Sequence, residues 1–141
     1  IVNTFHMDVL QAGLGSLLTD VDYTSNMVLF CTDEASWGWC RSQLVQKHHC
    51  IRTKQTYGAS GFKDNDYWKL IWLKWQVSRC ALQWPGVESV MFIDADVAVL
   101  SPFEEYIDTS CADFMYSPEN YPDWMLNGGQ LWFRRSKNAF A

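Results

Sequence analysis

The sequence predicts an α/β domain with a mostly parallel sheet flanked by helices. Three observations carry that reading. Helix-like and strand-like segments alternate along most of the chain. Two short apolar runs, Met27–Cys31 and Ser89–Ile93, are bounded by turn-forming or acidic residues, as buried strands are. A long amphipathic segment between them ends at Pro85–Gly86, a stop signal for a helix.

Taken in order, Met7 to Leu18 carries apolar residues at helical spacing, against the cost of Gly13 and Gly15. Met27–Cys31 reads as a strand, Ala35–Lys47 as a helix and Cys50–Lys54 as a short strand. Gly58–Asp66 is a polar loop, after which Asn65 or Asp66 can cap a helix reaching about Gln83. Trp68, Trp72 and Trp75 fall on one stripe of that helix and are expected to pack on the sheet. Ser89–Ile93, Cys111–Tyr116 and Gln130–Phe133 complete the strands, and strand–helix–strand alternation favours parallel crossovers.

The bulk properties limit the function classes. With 141 residues the chain can form one domain with a core, and 48% hydrophobic content excludes a disordered chain. The net charge is −5, and residues 88–141 hold three Lys/Arg against nine Asp/Glu. That acidity argues against nucleic-acid binding and suits a bound cation, or simply a solvated acidic surface. The five cysteines form no CxxC pair, and His6, His48 and His49 show no ligand spacing, so zinc is not expected. Cys31 and Cys80 read as small core residues, and the odd count allows one or two disulfides. No membrane span or signal peptide is visible. The chain lacks an initiator Met and reads as part of a longer protein, so the missing signals carry no weight on location.

The chemistry concentrates in SVMFIDADVAVLSPFEE. An apolar strand runs straight into Asp94-Ala95-Asp96, and buried carboxylates need a partner or a metal. If the chain stays extended, both side chains point to one side, with alpha carbons roughly 7 Å apart. One hard cation, Mn²⁺ or Mg²⁺, can then reach both and neutralise a diphosphate leaving group. A simple turn after the strand needs only one Asp. A second segment, PDWMLNGGQLWF, places Asn127-Gly128-Gly129 before a strand, where two glycines permit close approach of a ligand. Lys69, early on the long helix, is the candidate cation for a phosphate, with Lys74 and Arg79 as competitors.

These segments in this order, YWKL on a helix, then VMFIDADVAVLSPFEE, then PDWMLNGGQLWF, resemble the glycogenin-like and related GT-A nucleotide-diphospho-sugar transferases over most of residues 66–136. The resemblance implies a Rossmann-like GT-A domain over residues 1–141, truncated at both ends, with only Ile1–Thr4 left of the first strand. It implies a glycosyltransferase using a nucleotide-sugar donor, by analogy a UDP-sugar, with retention of configuration and an unknown acceptor. Carried over by position, Asp94 and Asp96 would hold the metal and, with Ala95, the donor diphosphate. Lys69 would contact the donor, and Asp123, Asn127, Gly128 and Gly129 would line the sugar pocket. It also implies a Golgi-lumen or cytoplasmic location. Later acceptor-side residues and the distal metal-binding histidine of such enzymes are missing, so weak turnover is expected of this chain alone. Two alternatives compete. A haloacid-dehalogenase-like phosphatase also places DxD after a strand, with the first Asp as nucleophile, but here no downstream Lys and paired-Asp motifs follow. A transferase-like binding module without catalysis is the other.

Overall fold

The computed structural model describes residues 7–19, 26–43, 50–54, 65–99, 107, 112–118 and 126–136. Within them the chain forms α1 (Met7–Thr19), β1 (Leu29–Cys31), α2 (Glu34–Gln43), β2 (Cys50–Arg52), α3 (Asn65–Leu82), β3 (Ser89–Ile93), β4 (Phe114–Pro118) and β5 (Leu126–Arg134). Ile1–Thr4, Cys111, Asp123 and most of the Gly58–Asp66 loop lie outside the described residues. Two compact units divide the chain. The first is Ile1–Leu70 with Ala95–Phe103, the second Ile71–Asp94 with Glu104–Ala141.

In the first unit β1 and β2 pair in parallel, Leu29 with Cys50 and Cys31 with Arg52, joined by the crossover helix α2. Asp33 starts that helix, its Oδ1 accepting the Ser36 N–H at 2.7 Å. Leu10, Leu29, Cys31 and Cys40 form the buried cluster, with Trp37, Trp39 and Ala95 packed against it. α1 forms despite its glycines. At Gly13 a side chain would meet the backbone oxygens of Ala95 and Val97 at 3.3 and 3.4 Å, so the missing Cβ lets that turn lie close to α1.

A disulfide joins Cys40 of α2 to Cys50 of β2. Cys31 is a buried free thiol, as expected of a core residue, whereas Cys80 is exposed. Burial pushes the Cys31 thiol up to about 11. The native thiol keeps its proton where an unfolded one ionises, so Cys31 withdraws stability as the pH climbs from 9.0 towards about 11. It also lowers the thiolate fraction at pH 8 by about a hundredfold. Alkylation at that pH with peptide mapping should therefore modify Cys80 in the native chain and Cys31 only after denaturation. Equal labelling of the two would contradict this burial.

In the second unit three strands form an antiparallel sheet in the order β3-β5-β4. This corrects the mostly parallel sheet expected from the sequence. Parallel neighbours need a long crossover, usually helical. α2 supplies one between β1 and β2, but only residues 119–125 separate β4 from β5. A link that short suits strands running in opposite directions.

The expected Trp stripe is also corrected. Trp68 and Trp72 are 51% and 67% exposed. The covered row of α3 is instead Leu73, Val77 and Ala81, with Ser78 and Leu82 beside it. Trp75 lies at the margin of this face, its ring 5.5 Å from Phe114 and 5.3 Å from Phe133. At about 100° per residue, Trp68 and Trp72 fall past that margin. The helix ends as expected, with Gly86 in the left-handed region at φ 80°. Arg135 satisfies the freed carbonyls, its guanidinium donating to Leu82 O and Trp84 O. Arg134 donates to Asp113 through Nε and Nη2 at 3.0 and 2.7 Å, which holds that carboxyl below its usual range.

Candidate functional site

The site is built where β3 ends beside an irregularity in β5. β3 and β5 stay in register from Ser89–Arg134 to Ile93–Gln130. The Asp94 N–H extends the ladder, donating to Gly129 O at 2.8 Å. On the other edge of β5 the register breaks. Tyr116 of β4 faces Leu131, but Ser117 faces Asn127. Gly128, Gly129 and Gln130 thus have no opposite number on β4, and they form a bulge. Bulges bend a strand and re-aim its groups, often next to sites. The glycine pair therefore lies inside β5 rather than ahead of it, and this is the physical use of two residues without side chains.

Side-chain alternation puts Asp94 on the face that carries Phe92. Lys74 of α3 reaches across that face. Its ammonium donates to Asp94 Oδ2 at 2.7 Å and to Gly128 O at 3.2 Å, and lies 5.4 Å from the centre of the Phe92 ring. Asn127 closes the cluster, its Oδ1 accepting the Gly129 N–H at 2.7 Å. Four residues singled out from the sequence, Asp94, Asn127, Gly128 and Gly129, thus come together within the second unit.

Lys69, Ala95 and Asp96 belong to the first unit. Lys69 is exposed and donates to Asp66 Oδ1 at 2.6 Å, one turn away on the first part of α3. Ala95 belongs to the first unit, packed against the Leu10 cluster. Asp96 also belongs there and is exposed, because the chain turns at Ala95–Asp96 instead of staying extended. The extended-chain argument for two aligned carboxylates therefore gives way to a turn. Asp123 lies outside the described residues.

Lys74, named from the sequence only as a competitor of Lys69 for a phosphate, is the lysine that the structure brings to Asp94. A signal was present. It falls between Leu73, Val77 and Ala81 on one side and Ser78 on the other, and a lysine in the covered row of a helix needs a partner. Choosing the Trp stripe as the inner face hid it.

Carboxylate oxygens suit hard cations such as Mn²⁺ and Mg²⁺. Among the described residues no group of three His, Cys, Asp or Glu could hold a metal. Asp94, the carboxylate of this cluster, fits a cation that keeps most of its waters and takes phosphate oxygens from a substrate, and does not fit a cage made by protein alone. The cluster also offers a fixed ammonium, which suits an anionic, oxygen-rich ligand.

Comparison with known proteins agrees in kind. The family model described as nucleotide-diphospho-sugar transferase matches residues 22–140. Neither the curated proteins nor the solved structures give a match.

Proposed function

The chain belongs to the nucleotide-diphospho-sugar transferase family, and from that premise we propose that it is a metal-dependent glycosyltransferase acting on a UDP-sugar with retention of configuration. The observation that carries the reading is the Asp94 carboxylate at the end of β3, held beside the Asn127-Gly128-Gly129 bulge.

In this reading Asp94 and Asp96 hold Mn²⁺ or Mg²⁺, which when bound acts as a Lewis acid on the leaving diphosphate. The protein's own share is positioning. Asp94 is fixed through its backbone N–H and its side chain. The bulge lets a donor approach backbone at Gly128 and Gly129 without meeting a Cβ. Asn127 fixes the bulge from inside, and by the family resemblance Asp123 and Lys69 would contact the donor. The acceptor is a glycan, a protein or a small molecule.

The Cys40–Cys50 disulfide supports a location in an oxidising compartment, and we favour the Golgi lumen over the cytoplasm. No helix among the described residues is long and apolar enough to cross a membrane.

Calorimetry of the 141-residue chain with UDP tests the reading. UDP should bind more tightly with Mn²⁺ than without it. Asp96→Ala should remove that increment and leave the melting temperature unchanged, since the substitution is on an exposed turn. UDP affinity indifferent to both Mn²⁺ and the Asp96→Ala change would overturn the assignment.

A further inference from the structure

Lysine is almost never fully covered without a partner. Lys74 nonetheless sits near the centre of the covered arc of α3, its side chain 15% exposed. Leu73, Val77 and Ala81 lie to one side of it round the helix, and Ser78 and Leu82 to the other. Its ammonium has two acceptors from two different strands, Asp94 Oδ2 at the end of β3 and Gly128 O in the β5 bulge. An exposed ion pair would be worth little. This one is part-buried, lies over the Phe92 ring and shares its charge with a backbone carbonyl, so it constrains where the carboxylate points.

We infer that Lys74 is a positioning residue for the donor site: it fixes the Asp94 carboxylate against the β5 bulge and acts on a bound nucleotide diphosphate through Asp94. The inference rests on the functional reading above and assigns a role to the lysine that pairs with Asp94. Two consequences follow from the geometry. With Oδ2 committed to the ammonium, contact with a ligand falls to Oδ1. The ammonium also offsets the charge of Asp94, so a diphosphate approaching this carboxylate meets less repulsion than a lone Asp would exert.

The test uses the full chain, with UDP plus excess Mn²⁺ as one probe and Mn²⁺ alone as the other, read by calorimetry. Lys74→Met keeps the stem and removes the charge. It should weaken UDP binding at least about tenfold, the scale of one charge-assisted hydrogen bond. Its affinity for Mn²⁺ alone should not fall, because a competing cation has left Asp94. Lys74→Arg can span both acceptors and should restore UDP affinity to within about threefold of wild type. A purely structural role would show instead as equal loss in both variants, or as loss of Mn²⁺ and UDP binding together with a lowered melting temperature. Either result overturns the inference, as does unchanged UDP affinity in Lys74→Met. A wild-type chain that fails to bind UDP with Mn²⁺ overturns the functional reading itself, and this inference with it.

Discussion

Leu131→Ala is expected to cost about 2–5 kcal/mol of stability. Leu131 is fully buried, and it sits on the central strand, opposite Phe92 of β3 and Tyr116 of β4. Its side chain therefore has sheet neighbours on both sides, and Trp75 of α3 packs over the adjoining Phe114 and Phe133. Removing three carbons there leaves a cavity that strands paired on both edges cannot close. A domain's whole stability is about 5–15 kcal/mol, so the loss would take a large share of it. Urea denaturation followed by fluorescence should show a lower midpoint with an unchanged slope. Tyr116→Ala is the comparison, since that side chain is 45% exposed on an outer strand and should cost markedly less. A Leu131→Ala loss below about 1 kcal/mol would mean that β5 is not the centre of this core.

The same strand marks the limit of what could be read from the chain. β3 was legible to the residue: Ser89–Ile93 is an apolar run fenced by Pro85–Gly86 before and Asp94 after. α3 was legible in its extent, because a capping residue and a Pro-Gly stop bound it. Its orientation was not. The Trp row and the Leu73–Val77–Ala81 row both recur at helical spacing, and periodicity alone cannot say which one faces a sheet. Trp is large and amphipathic, so it tolerates an exposed position that its hydrophobicity would argue against. Sheet direction was misread for a related reason. It depends on how each strand is connected, and the short link before β5 carried that information rather than any residue within a strand.

In the site, Asp94 and the Asn127-Gly128-Gly129 segment could be named from residue type, because carboxylates after a buried strand and paired glycines both need a reason to be there. Their meeting could not. It depends on a register shift of β5 against β4, which is a property of pairing and leaves no mark beyond the glycines themselves. Lys74 could be named as one of three candidate cations, but the choice among Lys69, Lys74 and Arg79 depends on which face of α3 is covered, and residue type does not carry that.

Gly129→Ala is expected to damage the site more than any other single-methyl change. An added Cβ would stand 3.0 Å from Asn127 Oδ1 and 3.4 Å from Asp94 Oδ2. The first is tighter than an ordinary contact, so Asn127 must give by a few tenths of an ångström. Asn127 cannot yield freely, because that oxygen accepts the N–H of Gly129 itself at 2.7 Å. Giving way by a few tenths of an ångström stretches this bond in a part-buried bulge, at a cost of up to about 1 kcal/mol. The second sets a methyl against the carboxylate oxygen that Lys74 holds, at the near limit of ordinary contact. UDP affinity in the presence of Mn²⁺ should therefore fall by about tenfold or more, beyond the stability loss. Gly128→Ala separates this from a general intolerance of side chains. Its nearest new neighbour is Lys74 Nζ at 3.7 Å, an ordinary contact, and its stability should stay within about 0.5 kcal/mol of wild type. Neither glycine has the left-handed backbone found at Gly86, so the contrast reports contact rather than conformational strain. Thermal melts and UDP calorimetry on the two variants decide it. If both behave alike, the Asn127–Gly129 hydrogen bond does not hold the bulge in the way the geometry requires.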